Sequence, residues 1–333
     1  MGFNYLGCLI DTFEIFVIVN VYAASKKAGK RWRQARRLLE ERNVDCQYAL
    51  TGQRGTAVEL ALDACERGYR RFLAVGGDGT VHDVLNGIVS YSQEHHQTDP
   101  LSAFTLGVIP MGSGNDWIKS LGIKSSVKDA VEAIASGHTV GQDVVKLSCR
   151  SLESDAESVS YMANVGGVGI DAKVCEIVNN RKKHGEGGKI LYVKALIKSL
   201  RERKASALKV FSDGVQVYDG NYLSIAFGIG KYSGGGMRQT PDAVINDGLL
   251  DMTIIPDIPL MRIAREVYKL FTGAFLTIPE LIAVKSRSVL ITSAEGHTNL
   301  IEVDGEIVGR TPMKAEVLEG SINVYAGSTF KVK

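Results

Sequence analysis

Cysteine is scarce here and has no pattern. The five thiols, at positions 8, 46, 65, 149 and 175, are odd in number, scattered and never spaced as CxxC. That argues against a disulfide framework or a zinc site and fits a reducing cytosol. Long apolar runs are also missing. None approaches the roughly 20 residues that span a bilayer, which excludes an integral membrane protein. The opening stretch MGFNYLGCLIDTFEIFVIVN is apolar but has no positive flank and carries Asp11 and Glu14, against a secretory signal. Leu6 stands where a myristoylation signal needs Ser or Thr. Nor does one sign of charge dominate: 39 Lys and Arg face 37 Asp and Glu, a formal net charge of +2. No global footprint for nucleic acid follows, so none is expected as a partner. What remains is ordinary for a soluble globular chain, 45% hydrophobic and 23% charged, and 333 residues suffice for two domains.

The most informative stretch is Arg71-Phe72-Leu73-Ala74-Val75-Gly76-Gly77-Asp78-Gly79-Thr80, running into Val81-His82-Asp83-Val84-Leu85-Asn86-Gly87. It reads as a strand, a glycine turn and a helix. Glycines at 76, 77 and 79 let a polyphosphate approach backbone N–H groups at a helix start, where negative charge is favoured. Asp78 in such a cradle would repel phosphate without a cation between them, which points to Mg²⁺-nucleotide. The same residues also read as a plain strand-to-helix turn with Asp78 as the cap.

The pattern recurs. Thr105 to Ile109 is another apolar strand, followed by Pro110-Met111-Gly112-Ser113-Gly114-Asn115-Asp116 and a helical Trp117 to Leu121. Parallel strands in an α/β sheet put such turns on one edge, the carboxyl end. Ser113, Asn115 and Asp116 then offer hydroxyl, amide and carboxylate groups to a nucleotide or its metal.

Upstream, Phe13 to Asn20 reads as the first strand, a basic segment from Lys26 continues into a helix through Glu41, and Val44 to Leu50 and Thr56 to Glu66 continue the strand-helix alternation. Past a helix at Val127 to Ser136, capped by Ser126, the texture changes. Helices become few. Strands are expected at Asp143–Leu147, Ser158–Val165, Leu208–Phe211, Gly220–Ile229, Leu249–Ile255, Val289–Thr292, Leu300–Val303 and Met313–Leu318, suggesting a mostly antiparallel sandwich. The boundary falls near Gly141. One exception is Ile190 to Arg203, apolar at 191, 193, 196, 197 and 200 and basic at Lys194, Lys198, Arg201 and Arg203, which reads either as a core-facing surface helix or as a membrane-surface helix.

Three more motifs lie in this half: Gly234-Gly235-Gly236-Met237 before Pro241-Asp242-Ala243, then Asn246-Asp247-Gly248-Leu249-Leu250-Asp251, then Val303-Asp304-Gly305-Glu306. An Asp-Gly pair by itself is a hairpin turn. In this order, over nearly the whole chain, GGDGTVHDVLNG, IPMGSGNDW, GGG-M with PDA, NDGLLD and VDGE resemble the diacylglycerol-kinase-like lipid kinases, above all their soluble bacterial members. GGDG is shared with NAD kinases and phosphofructokinases; the later motifs point to lipid kinases.

The resemblance implies an α/β N-terminal domain with a Rossmann-like parallel sheet of the NAD-kinase and diacylglycerol-kinase type, residues 1–140 with 321–333 returning to it, that binds ATP. It implies an all-β sandwich at 141–320 that binds lipid, with the active site in the cleft. Glu306 would be the general base, with Asp304 as its rival, and Thr51, Gly76, Gly77, Asp78, Gly79, Thr80, Val81, His82 and Ser113 would line the nucleotide site. Asp78, helped by Asp116, would hold Mg²⁺, and a structural Mg²⁺ would take Asp247 with backbone oxygens of Val244 and Leu249. The family's Asn-Pro and Ser-Gly-rich first loop is replaced by Asn20-Val21-Tyr22-Ala23-Ala24-Ser25. Asn20 and Ser25 can still reach phosphate, with less room.

The expected activity is transfer of the ATP γ-phosphate to a lipid hydroxyl, foremost diacylglycerol, giving phosphatidic acid; phosphatidylglycerol and sphingoid bases are the alternative acceptors. The protein is expected in the cytoplasm, meeting its lipid at a membrane surface by reversible peripheral association, and a homodimer is left open. Two rivals stand beside this. An NAD kinase needs a Thr-Gly-Ser turn in the second half, which the chain lacks, and a catalytically silent lipid- or nucleotide-binding protein leaves Asp78 and Glu306 without a task.

Overall fold

The computed structural model describes residues 14–21, 28–52, 56–112, 114–182, 189–202, 206–294, 297–328 and 330. Strand β1 (Ile15–Val19) is Ile-Phe-Val-Ile-Val and buried throughout, as a strand covered on both faces must be. It pairs in parallel with β2 (Cys46–Leu50) and β3 (Arg71–Gly76), and β3 pairs in parallel with β4 (Thr105–Pro110). The crossovers are helices: α1 (Ala28–Glu41), α2 (Thr56–Glu66) and α3 (Asp78–Glu94). Where α2 and α3 cross, a Cβ on Gly87 would lie 2.5 Å from the Val58 carbonyl oxygen, so that motif glycine serves helix packing. Beyond β4 come the short α4 (Trp117–Ser120) and α5 (Val127–Ala135), the latter capped by Ser126, which accepts from the Asp129 N–H.

The second half runs β5 (Thr139–Arg150), β6 (Glu157–Met162), β7 (Val165–Gly169), α6 (Ile170–Lys182), α7 (Lys189–Arg201), β8 (Ala207–Ser212), β9 (Val215–Gly228), β10 (Leu250–Pro256), α8 (Leu260–Glu266), α9 (Lys269–Thr272), β11 (Ile282–Ser286), β12 (Ser288–Ser293), β13 (Leu300–Val303) and β14 (Glu306–Tyr325). In place of two separate sheets, the strands join edge to edge. β7, β9, β8, β12, β14 and β13 close an antiparallel ring, β13 pairing back with β7. The cause is the length of β9 and β14. Register shifts between Val210 and Phe211 opposite β9, and between Arg310 and Met313 in β14, bend the pairing so that one strand has different neighbours at its two ends. Val168, Leu208, Ile225, Ile291, Ile301 and Met313, one from each ring strand, belong to one buried cluster.

Two further expectations are corrected. The expected Ser158–Val165 strand breaks at Ala163 and Asn164, because the Asp304 carboxylate draws in the N–H groups of Ala163, Asn164 and Val165. Helices are also less sparse than expected, since α6, α8 and α9 join α7. The last strand leaves the ring, and Asn323 and Val324 pair in parallel with Thr105 and Leu106 of β4.

Candidate active site

The carboxyl ends of β3 and β4 bring both glycine turns together. The Met111 N–H donates to the Gly76 carbonyl at 2.7 Å, and a Cβ on Gly112 would stand 2.7 Å from the Gly77 Cα. Gly76 is held to glycine by Thr80, whose Oγ1 would be 2.1 Å from a Cβ there; that hydroxyl accepts from Asn20 Nδ2 at 3.1 Å. The N–H groups of Thr80 and Val81 return to the Gly77 carbonyl. Those of Gly77, Asp78 and Gly79 make no hydrogen bond to a described residue. Unsatisfied donors at a helix start form an anion cradle.

Asp78 does not cap its own helix. Its Oδ1 accepts from the N–H groups of Asp116 and Trp117, at 2.8 and 3.0 Å, and so ties the first turn to the start of α4. Burial, and next the Asp116 carboxylate, push its pKa up to about 7. Oδ2 has no donor among the described residues, and a Cβ on Gly114 would lie 3.3 Å from it. A crowded pair of acids and a lone-pair side left open by a glycine fit a hard cation. Asp116 itself is fully engaged, Oδ1 with the Lys119 ammonium and Oδ2 with the Gly235 N–H, both at 2.6 Å. It latches the second glycine turn to the Gly234-Gly235-Gly236 loop.

Other expected site residues divide in the same way. Asn115 closes its own turn with a left-handed backbone, its amide bonding both N–H and carbonyl of Gly112. Thr51 is buried at the end of β2, its N–H on the Val19 carbonyl. His82 turns away toward the second half, with Nδ1 3.4 Å from Asp304 and Nε2 3.3 Å from the Ser160 hydroxyl. Ser25 and Ser113 lie outside the described residues.

Across from the cradle stands the β13–β14 hairpin, whose Asp304-Gly305 turn has the positive φ angles, 52° and 86°, of a tight hairpin. Asp304 is buried and accepts three backbone N–H groups. Glu306 instead reaches α3: a Cβ on Gly79 would meet its Oε1 at 2.6 Å. Its Oε2 accepts from Asn179 Nδ2 at 3.3 Å, and the same amide donates to the Gly305 carbonyl at 2.9 Å. Cys175 Sγ also donates to that carbonyl, at 3.0 Å. The residue reading missed Asn179 and Cys175, which belong to no motif.

Asp171, Cys175 and Asn179 recur every fourth residue on α6, one helix face about 12 Å long. At the Asp171 end opens an apolar cavity, walled by Leu196 and Leu200 of α7, Leu223 of β9, Ile263 of α8 and Phe275. Its polar end is Asp171, which accepts from Ser224 and, at 2.8 Å, from Gln239. Burial raises the Asp171 pKa, and burial with Asp171 close by holds Glu302 well above the usual carboxylate range.

The Asn246–Asp251 loop is anchored elsewhere. Asp143, another residue the motifs did not flag, accepts from the N–H groups of Gly248 and Gly320 at 2.8 and 2.6 Å. The carbonyls of Val244 and Leu249 receive no hydrogen bond from a described residue, and the buried Asn246 Oδ1 likewise has no partner among the described residues. Asp247 Oδ1 accepts from the Leu249 N–H, and Oδ2 lies 3.6 Å from the Lys285 ammonium. An all-oxygen donor set with an orphaned amide oxygen fits a hard cation.

Residues 14–147 match the family described as diacylglycerol kinase catalytic domain, and residues 164–326 match the YegS C-terminal NAD kinase beta sandwich-like domain. A diacylglycerol kinase of Staphylococcus carnosus is 26% identical over 293 residues, covering 88% of each chain. Among solved structures, a diacylglycerol kinase from Bacillus anthracis superposes with a TM-score of 0.68 at 20% identity, over 95% of this chain and 97% of that one. Yeast NADH kinase in complex with NADH gives 0.51 at 11% identity, over 96% and 85%. These structures share the fold.

Proposed function

The chain belongs to the diacylglycerol-kinase-like lipid kinases, which are phosphotransferases, and from that premise we propose that it transfers the γ-phosphate of ATP, with Mg²⁺, to the hydroxyl of diacylglycerol, giving phosphatidic acid. One observation carries the reading: the Glu306 carboxylate, from the second half, stands over the first turn of α3, where three N–H groups await an anion.

The N–H groups of Gly77, Asp78 and Gly79 receive the β- and γ-phosphate oxygens. Asn179 donates to Oε2 of Glu306, and Oε1 lies beside Gly79 at the cradle. As the acceptor oxygen attacks the γ-phosphorus, its proton passes to Glu306 and the bond to ADP breaks. A primary alcohol needs that base at neutral pH. Asp304 is a poor base, because protonating it would displace three backbone donors. Mg²⁺ held at Asp78 would neutralise charge on the phosphates during transfer. The apolar cavity takes acyl chain, and the polar face of α6 leads from it to Glu306.

In this reading residues 1–140 with 321–333 form the nucleotide-binding half and 141–320 the lipid-binding half. The chain acts in the cytoplasm, associating peripherally with membrane, and Val244, Asp247 and Leu249 hold a structural Mg²⁺. The test is incubation of the purified chain with γ-labelled ATP, Mg²⁺ and mixed micelles carrying diacylglycerol, phosphatidylglycerol or sphingosine, beside NAD in solution. Label in phosphatidic acid is expected. Label in another product alone would replace diacylglycerol as the acceptor, and label in none would leave a binding protein.

A further inference from the structure

The outer side of the cavity wall is unusually apolar for a surface. Met261 of α8 is 82% exposed, and Tyr268 and Phe271, on the continuation into α9, are each 58% exposed. They follow one another at intervals of seven and three residues, which keeps them on one helical side. The opposite side of the same segment, with Ile263, Val267 and Leu270, lines the cavity. Across the cavity, α7 repeats the arrangement: Leu196 and Leu200 face in, while Val193 and Ile197 are 52% and 44% exposed.

Charge decides what such a rim meets. The inner charges of α8 and α9 are paired, Arg262 with Glu266 and with Glu280 beyond α9, the latter at 2.7 Å, and Lys269 with Glu266 at 2.9 Å. Among the described side chains of these helices the exposed charges are Lys194, Lys198, Arg201 and Arg265, all basic, with Lys198 near Glu202 and Arg265 near Glu266; the exposed acids Glu202 and Asp257 lie just outside the helices. Aromatic and thioether side chains set among basic ones suit the interfacial layer of an anionic bilayer, where rings sit at headgroup level and cations meet phosphate.

We propose that α8–α9, together with the exposed face of α7, is a bilayer-docking edge, with Met261, Tyr268 and Phe271 entering the interface beside the cavity mouth. The proposal rests on the reading that the acceptor is a membrane lipid taken up by this cavity. The edge then seats the mouth where the lipid lies, so that its chains pass from bilayer to protein without crossing water.

The test uses the full-length chain and vesicles of phosphatidylcholine with and without phosphatidylglycerol, with no nucleotide present. Replacing Met261, Tyr268 and Phe271 together by Ser should weaken binding to anionic vesicles about tenfold or more and leave turnover of a short-chain soluble diacylglycerol within about twofold. Lys194→Gln, Lys198→Gln, Arg201→Gln and Arg265→Gln together should remove the preference for anionic vesicles and the salt dependence of binding. Single substitutions at Met261 and Phe271 carry the test if the triple variant melts early. Vesicle binding unchanged in the apolar variants overturns the docking edge. So does a shift from dimer to monomer with vesicle binding intact, which would make the face a contact between copies of the chain. Vesicle binding that depends on these residues in a protein that phosphorylates no lipid would contradict the kinase reading and not the edge.

Discussion

Asp304 and Glu306, two residues apart on one hairpin, illustrate how backbone geometry separates similar side chains. The left-handed backbone at Asp304 turns its carboxylate into the N–H groups of residues 163–165, whereas Glu306, back in the strand, reaches α3. Asn179 links the hairpin to α6 and donates to Glu306, the proposed base. Asn179→Ala should lower kcat by about tenfold to a hundredfold with KM for ATP little changed, and should shift the acid limb of the pH–rate profile, with partial rescue in Asn179→Gln. A change in KM alone would make Asn179 a packing residue. Glu302 gives a pH prediction. Its folded pKa is raised above its unfolded value, so the native state binds the extra proton and stability falls as pH rises from the ordinary carboxylate range toward the raised pKa. Glu302→Gln keeps an acceptor for the Gly305 N–H and removes that titration. Its melting temperature should gain on wild type as pH rises above the ordinary carboxylate range, and melting temperatures that run parallel from there upward would refute the assignment.

At the scale of elements, most strands and helices with one clear period were legible, α3 among them, while α6, α8, α9 and the short β11 were not. β1, β3 and β4 are short apolar runs closed by turn residues, and the two glycine turns meet as parallel neighbours must. α6 escaped because its working face is polar: Asp171, Cys175 and Asn179 occupy positions where an apolar stripe would have signalled a helix. β14 was read only in part because Gly309, Pro312 and Gly320 look like turns, yet sit at or near bends of one 20-residue strand. The partnerships of Asp116 with Gly235 and of Asp143 with Gly248 and Gly320 could not be read at all, being set by loops far apart in the chain. The loop that Asp143 anchors makes its own prediction. Excess Mg²⁺ should raise the melting temperature of wild type but not of Asp247→Ala, which should also melt lower without metal. An unchanged metal response in the variant would remove Asp247 from the cation site.

For the whole molecule, β14 and the Asp116 latch tie the halves together, beside the contacts of His82 with Asp304 and Ser160 and of Asn86 with the Tyr161 backbone. β14 begins at Glu306, closes the ring and ends beside β4, while Asp116 joins the second glycine turn to the loop at Gly235. Glu306, the proposed base, and the glycine-turn cradle are thereby fixed to a common frame. Single-turnover transfer from γ-labelled ATP to diacylglycerol in mixed micelles, wild type against Glu306→Gln, is the measurement that decides whether Glu306 is the base. Transfer slower by about 10² to 10⁴ is expected, with the dissociation constant for ATP unchanged within about twofold. Transfer within about threefold of wild type would contradict it and take the proton from some group other than Glu306.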